Sequence, residues 1–233
     1  MLPPALQASV LAFCLSAMEN SIYLYQINNA VQASDLNHPL WQTAPAVRLT
    51  RYYSGALAPS TRHAEARLLW TPAALCVRFQ CRQAEPLVAS SAPQTKTKTI
   101  GLWNYDVCEI FVALDANAPE HYFEFEVAPT GEWLDLEVNW NTDGRVTNWE
   151  YASGMTAAAG RDAAGAVCVA MRIPWGAFGC APRAGDVWRA NLFRCVGRDT
   201  PEQARGYLAW QPTHTPEPNF HVPAAFGQIC FDG

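Results

Sequence analysis

The 233-residue chain has no run of basic residues, no CxxC pair and no stretch of about 20 apolar residues long enough to span a membrane. The first absence argues against nucleic acid as a partner, because phosphate neutralisation needs clustered Lys and Arg. The formal net charge of -5 points the same way. The second absence excludes a zinc ribbon and a thioredoxin-like redox motif. Five histidines (His38, His63, His121, His214 and His221) form no HExxH-type array. No Ser-His-Asp signature, phosphate loop or dinucleotide fingerprint is present either. Helical periodicity is weak throughout, and there is neither an internal repeat nor a Gly/Ser-rich linker. One domain over 21–233 follows. Residues 2–18 are largely apolar but contain no Lys or Arg, whereas an export signal opens with positive charge. Residues 1–20 are read as an N-terminal arm or targeting segment, with Met18 as an alternative start. This segment leaves export and cytoplasmic residence equally open.

What is present is a chain that is half hydrophobic, with nine Trp, 17 Pro and 14 Gly. Short β-branched and aromatic runs alternate with Gly, Pro, Asn and Asp, the pattern of an antiparallel β-sandwich or barrel. Strands are expected at 21–27, 46–52, 66–70, 75–81, 106–114, 122–127, 133–139, 166–173, 188–196 and 228–231. A single helical turn is expected at 174–179. The eight cysteines include Cys76, Cys108, Cys168, Cys195 and Cys230 inside these strands. They read as small buried hydrophobes of a reducing compartment, or as one or two disulfides of an exported protein.

Two segments carry chemistry. In 102–112, Trp103 heads a strand in which Asp106 and Glu109 interrupt an apolar run, and an unpaired buried charge is costly. A flat aromatic beside fixed acceptors suits a sugar, which offers C–H faces and hydroxyls. A second Trp in a polar setting, Trp210, lies far along the chain. In 122–127, period two sets Tyr122, Glu124 and Glu126 on one face and Phe123, Phe125 and Val127 on the other. In 133–138 the same period separates Leu134, Leu136 and Val138 from Trp133, Asp135 and Glu137. A concave face of acids and aromatics is thereby expected. Glu124 and Glu126, with Glu109, also admit a hydrolase reading, because glycosidases use paired carboxylates. The three-acid array of laminarinase-type sandwiches is incomplete here, since Val127, Ala128 and Pro129 follow Glu126. Asp115, Asn117 and Asp143 in turns are candidate calcium ligands, although calcium needs roughly six to eight oxygens.

The order of motifs resembles family 9 carbohydrate-binding modules: Trp103 to Phe111, Tyr122 to Gly131, Arg172 to Trp175, Trp188 to Arg194, Ala209 to Pro212 and His221 to Gly227. The resemblance runs from about Trp41 to Phe231. It implies a β-sandwich of the DOMON-like, immunoglobulin-like jelly-roll type and non-catalytic carbohydrate binding to xylan- or cellulose-type glycan ends or small saccharides, linked to carbohydrate catabolism. It implies that Trp103 and Trp210 sandwich a sugar and that Glu109 accepts its hydroxyls, with Glu124, Glu126, Asn191 and Arg194 as further contacts. Strand parity, however, cannot place Asn191 and Arg194 on one face. No organic cofactor is implied, and structural calcium occurs in the family. The alternatives are a hydrolase, a haem-type DOMON domain and a scaffold whose Trp residues are core. Haem needs Met or His axial ligands, and Met171 is the one Met inside an expected strand.

Overall fold

The computed structural model describes residues 20–162 and 164–232. The apolar stretch before Asn20, with Cys14, lies outside them. Fourteen strands are described: β1 (Ser21–Tyr25), β2 (Val47–Leu49), β3 (Arg51–Tyr52), β4 (Ala64–Trp70), β5 (Ala74–Cys81), β6 (Val107–Ala113), β7 (His121–Val127), β8 (Trp133–Asn141), β9 (Gly144–Asn148), β10 (Thr156–Arg161), β11 (Val167–Pro174), β12 (Val187–Val196), β13 (Gly206–Ala209) and β14 (Gly227–Asp232). The larger sheet runs β1-β14-β12-β6-β7-β8-β9, with β13 beside β12 and β3 beside β13. The smaller runs β10-β11-β5-β4-β2. All pairings between strands are antiparallel except β1 with β14. The two sheets form a sandwich, and no described helix is long and apolar enough to cross a membrane.

Alternation decides what fills the sandwich. Ile110, Val112, Phe125, Val127 and Leu192 of the large sheet meet Leu68, Val77, Phe79, Val169 and Met171 of the small one. Each such side chain contributes about 1.5–3 kcal/mol on burial. Four of the nine Trp are spent on packing: Trp41, Trp70, Trp175 and Trp188 are buried. The Trp188 and Phe231 rings meet edge to face at 4.9 Å, and Trp175 donates its indole N–H to the Thr71 carbonyl at 2.9 Å. Met171 is buried in this core, which removes it as an axial haem ligand facing any cavity. Seven described cysteines are free, five of them buried.

Two expectations about strands are corrected. The single strand at 46–52 is two, β2 and β3, which join different sheets. The acid faces of β7 and β8 do not coincide. Register pairs Glu124 with Leu136 and Glu126 with Leu134, so the leucines of β8 share the acids' face. Asp135 turns the other way and is held by the Ser153 N–H and hydroxyl, both at 2.7 Å, and by Lys98. Strands β9, β10 and β13 were not expected. β10 reads TAAAGR, with small residues where β-branched ones normally signal a strand.

Candidate functional site

Outside the sandwich, the large sheet carries a second apolar cluster on its other face: Val107, Phe111, Tyr122, Leu134, Leu136 and Phe193. Glu109, Glu124 and Glu126 rise among these residues, because β6, β7 and β12 alternate strictly. Glu109 stands opposite Glu126 on β7 and opposite Phe193 on β12. Loops arch over this face and leave a cavity of about 660 Å³. Glu109, Phe111, Glu124, Leu136 and Cys195 line it from the sheet, and Trp103, Arg145, Trp149, Arg205, Tyr207 and His221 line it from strands and loops around the sheet.

Trp103 sits on a short turn, Leu102–Asn104, whose first step is Gly101 at φ +83°, a left-handed conformation that glycine tolerates best. Buried Leu102 anchors the turn from below. Arg205 clamps it from the side, donating to the carbonyls of Trp103 at 3.1 Å, Asn104 at 2.9 Å and Tyr105 at 2.5 Å. The same guanidinium lies 5.6 Å from the Tyr207 ring centre. Asp106 fastens the turn's far end: it accepts the Gly197 N–H at 2.8 Å and the Gln83 amide at 3.1 Å. It is thus a buried bracket and not a ligand contact.

Trp149 follows the β8–β9 hairpin. Its ring centre is 6.2 Å from that of Trp103, at 45°. The rings touch at an angle and form one aromatic wall, with no slot between them. Trp103 is 38% exposed and Trp149 43%, unusual for large apolar side chains.

The floor is acidic and buried. Burial pushes Glu109 well above the ordinary carboxylate range, and neighbouring Glu124 adds to the effect. Burial raises Glu124 to about 7. Glu126 rises well above its usual value through burial and then the charges of Glu109 and Glu124. His221 is pulled down to about 3 by burial and by Arg145. It is therefore neutral, and its Nδ1 shares a hydrogen bond with the Tyr122 hydroxyl at 2.8 Å. Its 3.9 Å approach to Glu124 is accordingly no ion pair.

The sequence-derived site separates into three groups. Trp103, Glu109 and Glu124 line the cavity, and Glu126 stands beside the two acids with its side chain fully buried. Trp210 does not face Trp103. It lines a different cavity with Asn20, Ser21 and Tyr23. There it packs so closely on Gly227 that a Cβ at 227 would fall 2.5 Å from the indole. Asn191 and Arg194 hold backbone. Asn191 exchanges hydrogen bonds with the backbone of Gln211 at 2.8 and 3.0 Å. Arg194, on the inner face, donates to the carbonyls of Arg62 at 2.6 Å and Arg82 at 2.9 Å and to the Gln83 side chain. Of the turn candidates for calcium, Asp115 accepts the Asn117 N–H and Asn141 accepts the Asp143 N–H. Both are local turn bonds.

Sequence reasoning missed Arg145, Trp149, Arg205 and Tyr207. A signal for the first two exists: Asn141-Thr142-Asp143-Gly144 is a hairpin turn, with Gly144 at φ +118°. Reading it as such extends β8 into β9 and brings Trp149 back over the sheet.

A two-sheet β-sandwich with an aromatic wall above a buried acidic floor defines a ligand-binding architecture with a preformed cleft. The profile of the carbohydrate family 9 binding domain-like family matches residues 35–233, and the chain belongs to that family. Its fold is similar to that of a presumed carbohydrate-binding protein from Bacteroides uniformis, at 18% identity, TM-score 0.70, and 91% and 99% coverage of the two chains. It is also similar to a family 9 carbohydrate-binding module from Caldicellulosiruptor kristjanssonii. The form in complex with cellotriose matches at 15% identity, TM-score 0.61, with 91% and 94% covered. The glucose complex matches at 18%, TM-score 0.58, with 91% and 96% covered. No curated protein matches the chain.

Proposed function

We propose that the chain is a non-catalytic carbohydrate-binding module whose cavity takes one sugar ring at a glycan end or in a small saccharide. The observation that carries this reading is the tilted Trp103–Trp149 wall at the mouth of a cavity floored by Glu109 and Glu124. The sugar's C–H face packs on the indoles, and the carboxyl groups below and Arg145 beside them meet its hydroxyls. The cavity volume falls within the ordinary range for small-ligand sites, about 300–1,000 Å³. Family membership and the sugar complexes of the two Caldicellulosiruptor structures support the same reading.

The pairing of Trp103 with Trp210 is replaced in this proposal by Trp103 with Trp149. Catalysis is not part of it. The three-acid array of sandwich-type glycosidases is incomplete, since Val127, Ala128 and Pro129 follow Glu126. Titration calorimetry with glucose, cellobiose and xylobiose tests the assignment. Binding is expected to fall at least tenfold in Trp149→Ala and in Trp103→Ala and to persist in Trp210→Ala. Loss in Trp210→Ala alone, in a folded protein, overturns it, as does reducing-sugar release from xylan.

A further inference from the structure

Glu109, Glu124 and Glu126 form the one group of three His, Cys, Asp or Glu side chains among the described residues whose ligand atoms all lie within 4.8 Å of one another. The arrangement is costly as it stands. Glu109 and Glu126 are direct cross-strand partners, where like charges destabilise, and Glu124 projects from the same face two residues away. The positive groups present serve only two of the three. Arg145 acts on Glu124 and Arg205 on Glu109, and Glu126 feels only the two other acids. Glu126 is 0% exposed, and no donor reaches its carboxyl oxygens or Glu124 Oε2 except the carboxyl of the neighbouring acid, since Glu124 and Glu126 are hydrogen-bonded to each other when one of them holds a proton. A fully buried acid whose only hydrogen-bonding neighbour is another acid, beside an open cavity, requires a positive occupant or a shared proton.

We propose that this triad is a divalent-cation site of calcium type at the floor of the cavity, with Glu126 as the deep ligand and Glu109 and Glu124 as the ligands facing the cavity. Three carboxylates are hard oxygen donors, the set preferred by calcium, magnesium and manganese over zinc or copper. Calcium–oxygen distances of about 2.3–2.6 Å set oxygens on opposite sides of the ion about 4.6–5.2 Å apart, which the triad's span accommodates. The remaining coordination positions open toward the cavity, where water or ligand hydroxyls fill them. Three negative charges against two on the ion leave one, and Arg145 and Arg205 lie close enough to offset it. The site goes beyond the sugar reading and does not depend on it.

The test is calorimetry with calcium chloride, without sugar, on the full chain stripped with a chelator. One saturable calcium per chain is expected, with a rise in melting temperature on binding. Affinity is expected to fall at least tenfold in Glu126→Gln, and in Glu124→Gln should the first variant fail to fold. Asp115→Asn and Asp143→Asn are expected to bind as the parent does. The absence of both saturable heat and any melting shift up to about 10 mM calcium, tenfold beyond the weak calcium modules, overturns the site and leaves a proton-sharing cluster. Calcium binding that survives in the glutamate variants but is lost in Asp115→Asn or Asp143→Asn overturns it too. Because no sugar is present, failure here leaves the carbohydrate proposal standing.

Discussion

The two faces of the large sheet come from the same strands and obey opposite rules. On the inner face β6, β7 and β12 contribute Ile110, Phe125 and Leu192, which are wholly buried against the second sheet. On the outer face, one residue along, they contribute Glu109, Glu124, Glu126 and Phe193. The inner face of these three strands is closed and, apart from Arg194, apolar. The outer face is equally buried at its base yet holds three carboxyls and opens to solvent through a cavity. A one-residue alternation thus lets the chain set an apolar packed wall and a floor of crowded buried carboxyls back to back, with stability drawn from one and the proposed recognition placed on the other.

The comparison breaks most sharply at Phe125. Its ring contacts Phe178 edge to face at 5.7 Å and is fully buried between the sheets. Phe125→Ala is expected to cost about 3–5 kcal/mol in urea unfolding, with no change in the sugar affinity of the molecules that remain folded. An affinity loss in excess of the unfolded fraction would show that the two faces are coupled.

Trp149→Ala tests the other face. It removes half of an exposed wall and no core contact, so binding is expected to drop by about 1.4–3 kcal/mol, tenfold or more. Stability is expected to stay within about 0.5 kcal/mol, as for most surface changes. A melting loss as large as that of Phe125→Ala would mean that the wall is structural.

How much of this contrast the sequence reveals depends on the link involved. Alternation in β6 and β7 is legible, because Phe123, Phe125 and Val127 leave only one face for Glu124 and Glu126. The choice of solvated or covered for that face is not legible, because it depends on loops: Phe220 stacks on Phe193 at 4.0 Å from a Pro-rich segment that no periodicity describes. The same limit explains Trp210. Its motif matches the family order, but the close approach to Gly227 that turns it into packing is a contact between distant parts of the chain. Asn191 and Arg194 read as sugar contacts because their side chains are polar within a strand, where they in fact satisfy backbone groups. Trp149 was missed because its position depends on recognising one turn.

Arg205 refines the contrast further. It is a positioning residue: its guanidinium satisfies three successive carbonyls of the Trp103 turn. Arg205→Ala is expected to weaken sugar binding about three- to tenfold by loosening Trp103, at a stability cost of about 1 kcal/mol. Arg205→Lys is expected to recover little, since an ammonium cannot present the same planar fork. Trp fluorescence separates this from a direct contact, because the free protein's Trp103 signal should already change.

The smallest effect belongs to neither face but to the polar belt that ties the sheets at one end. Arg62 is buried and meets Glu85 at 2.5 and 2.9 Å, while its backbone carbonyl accepts from Arg194 of the large sheet. The Arg62 guanidinium holds the Glu85 carboxyl below its usual range. A carboxylate whose value is lowered by folding stabilises the fold fully above its unfolded value, near 4.3. That contribution disappears as pH falls through the lower folded value. The Glu85 side chain is partly exposed, at 24%, so the contribution is expected to stay near or below about 1 kcal/mol. Melting temperatures of the parent and Glu85→Gln should therefore differ slightly at pH 7 and converge on acidification below about pH 4. A difference that persists in acid would show that Glu85 acts by packing and not by charge, and that the belt, like the inner face, is held by shape.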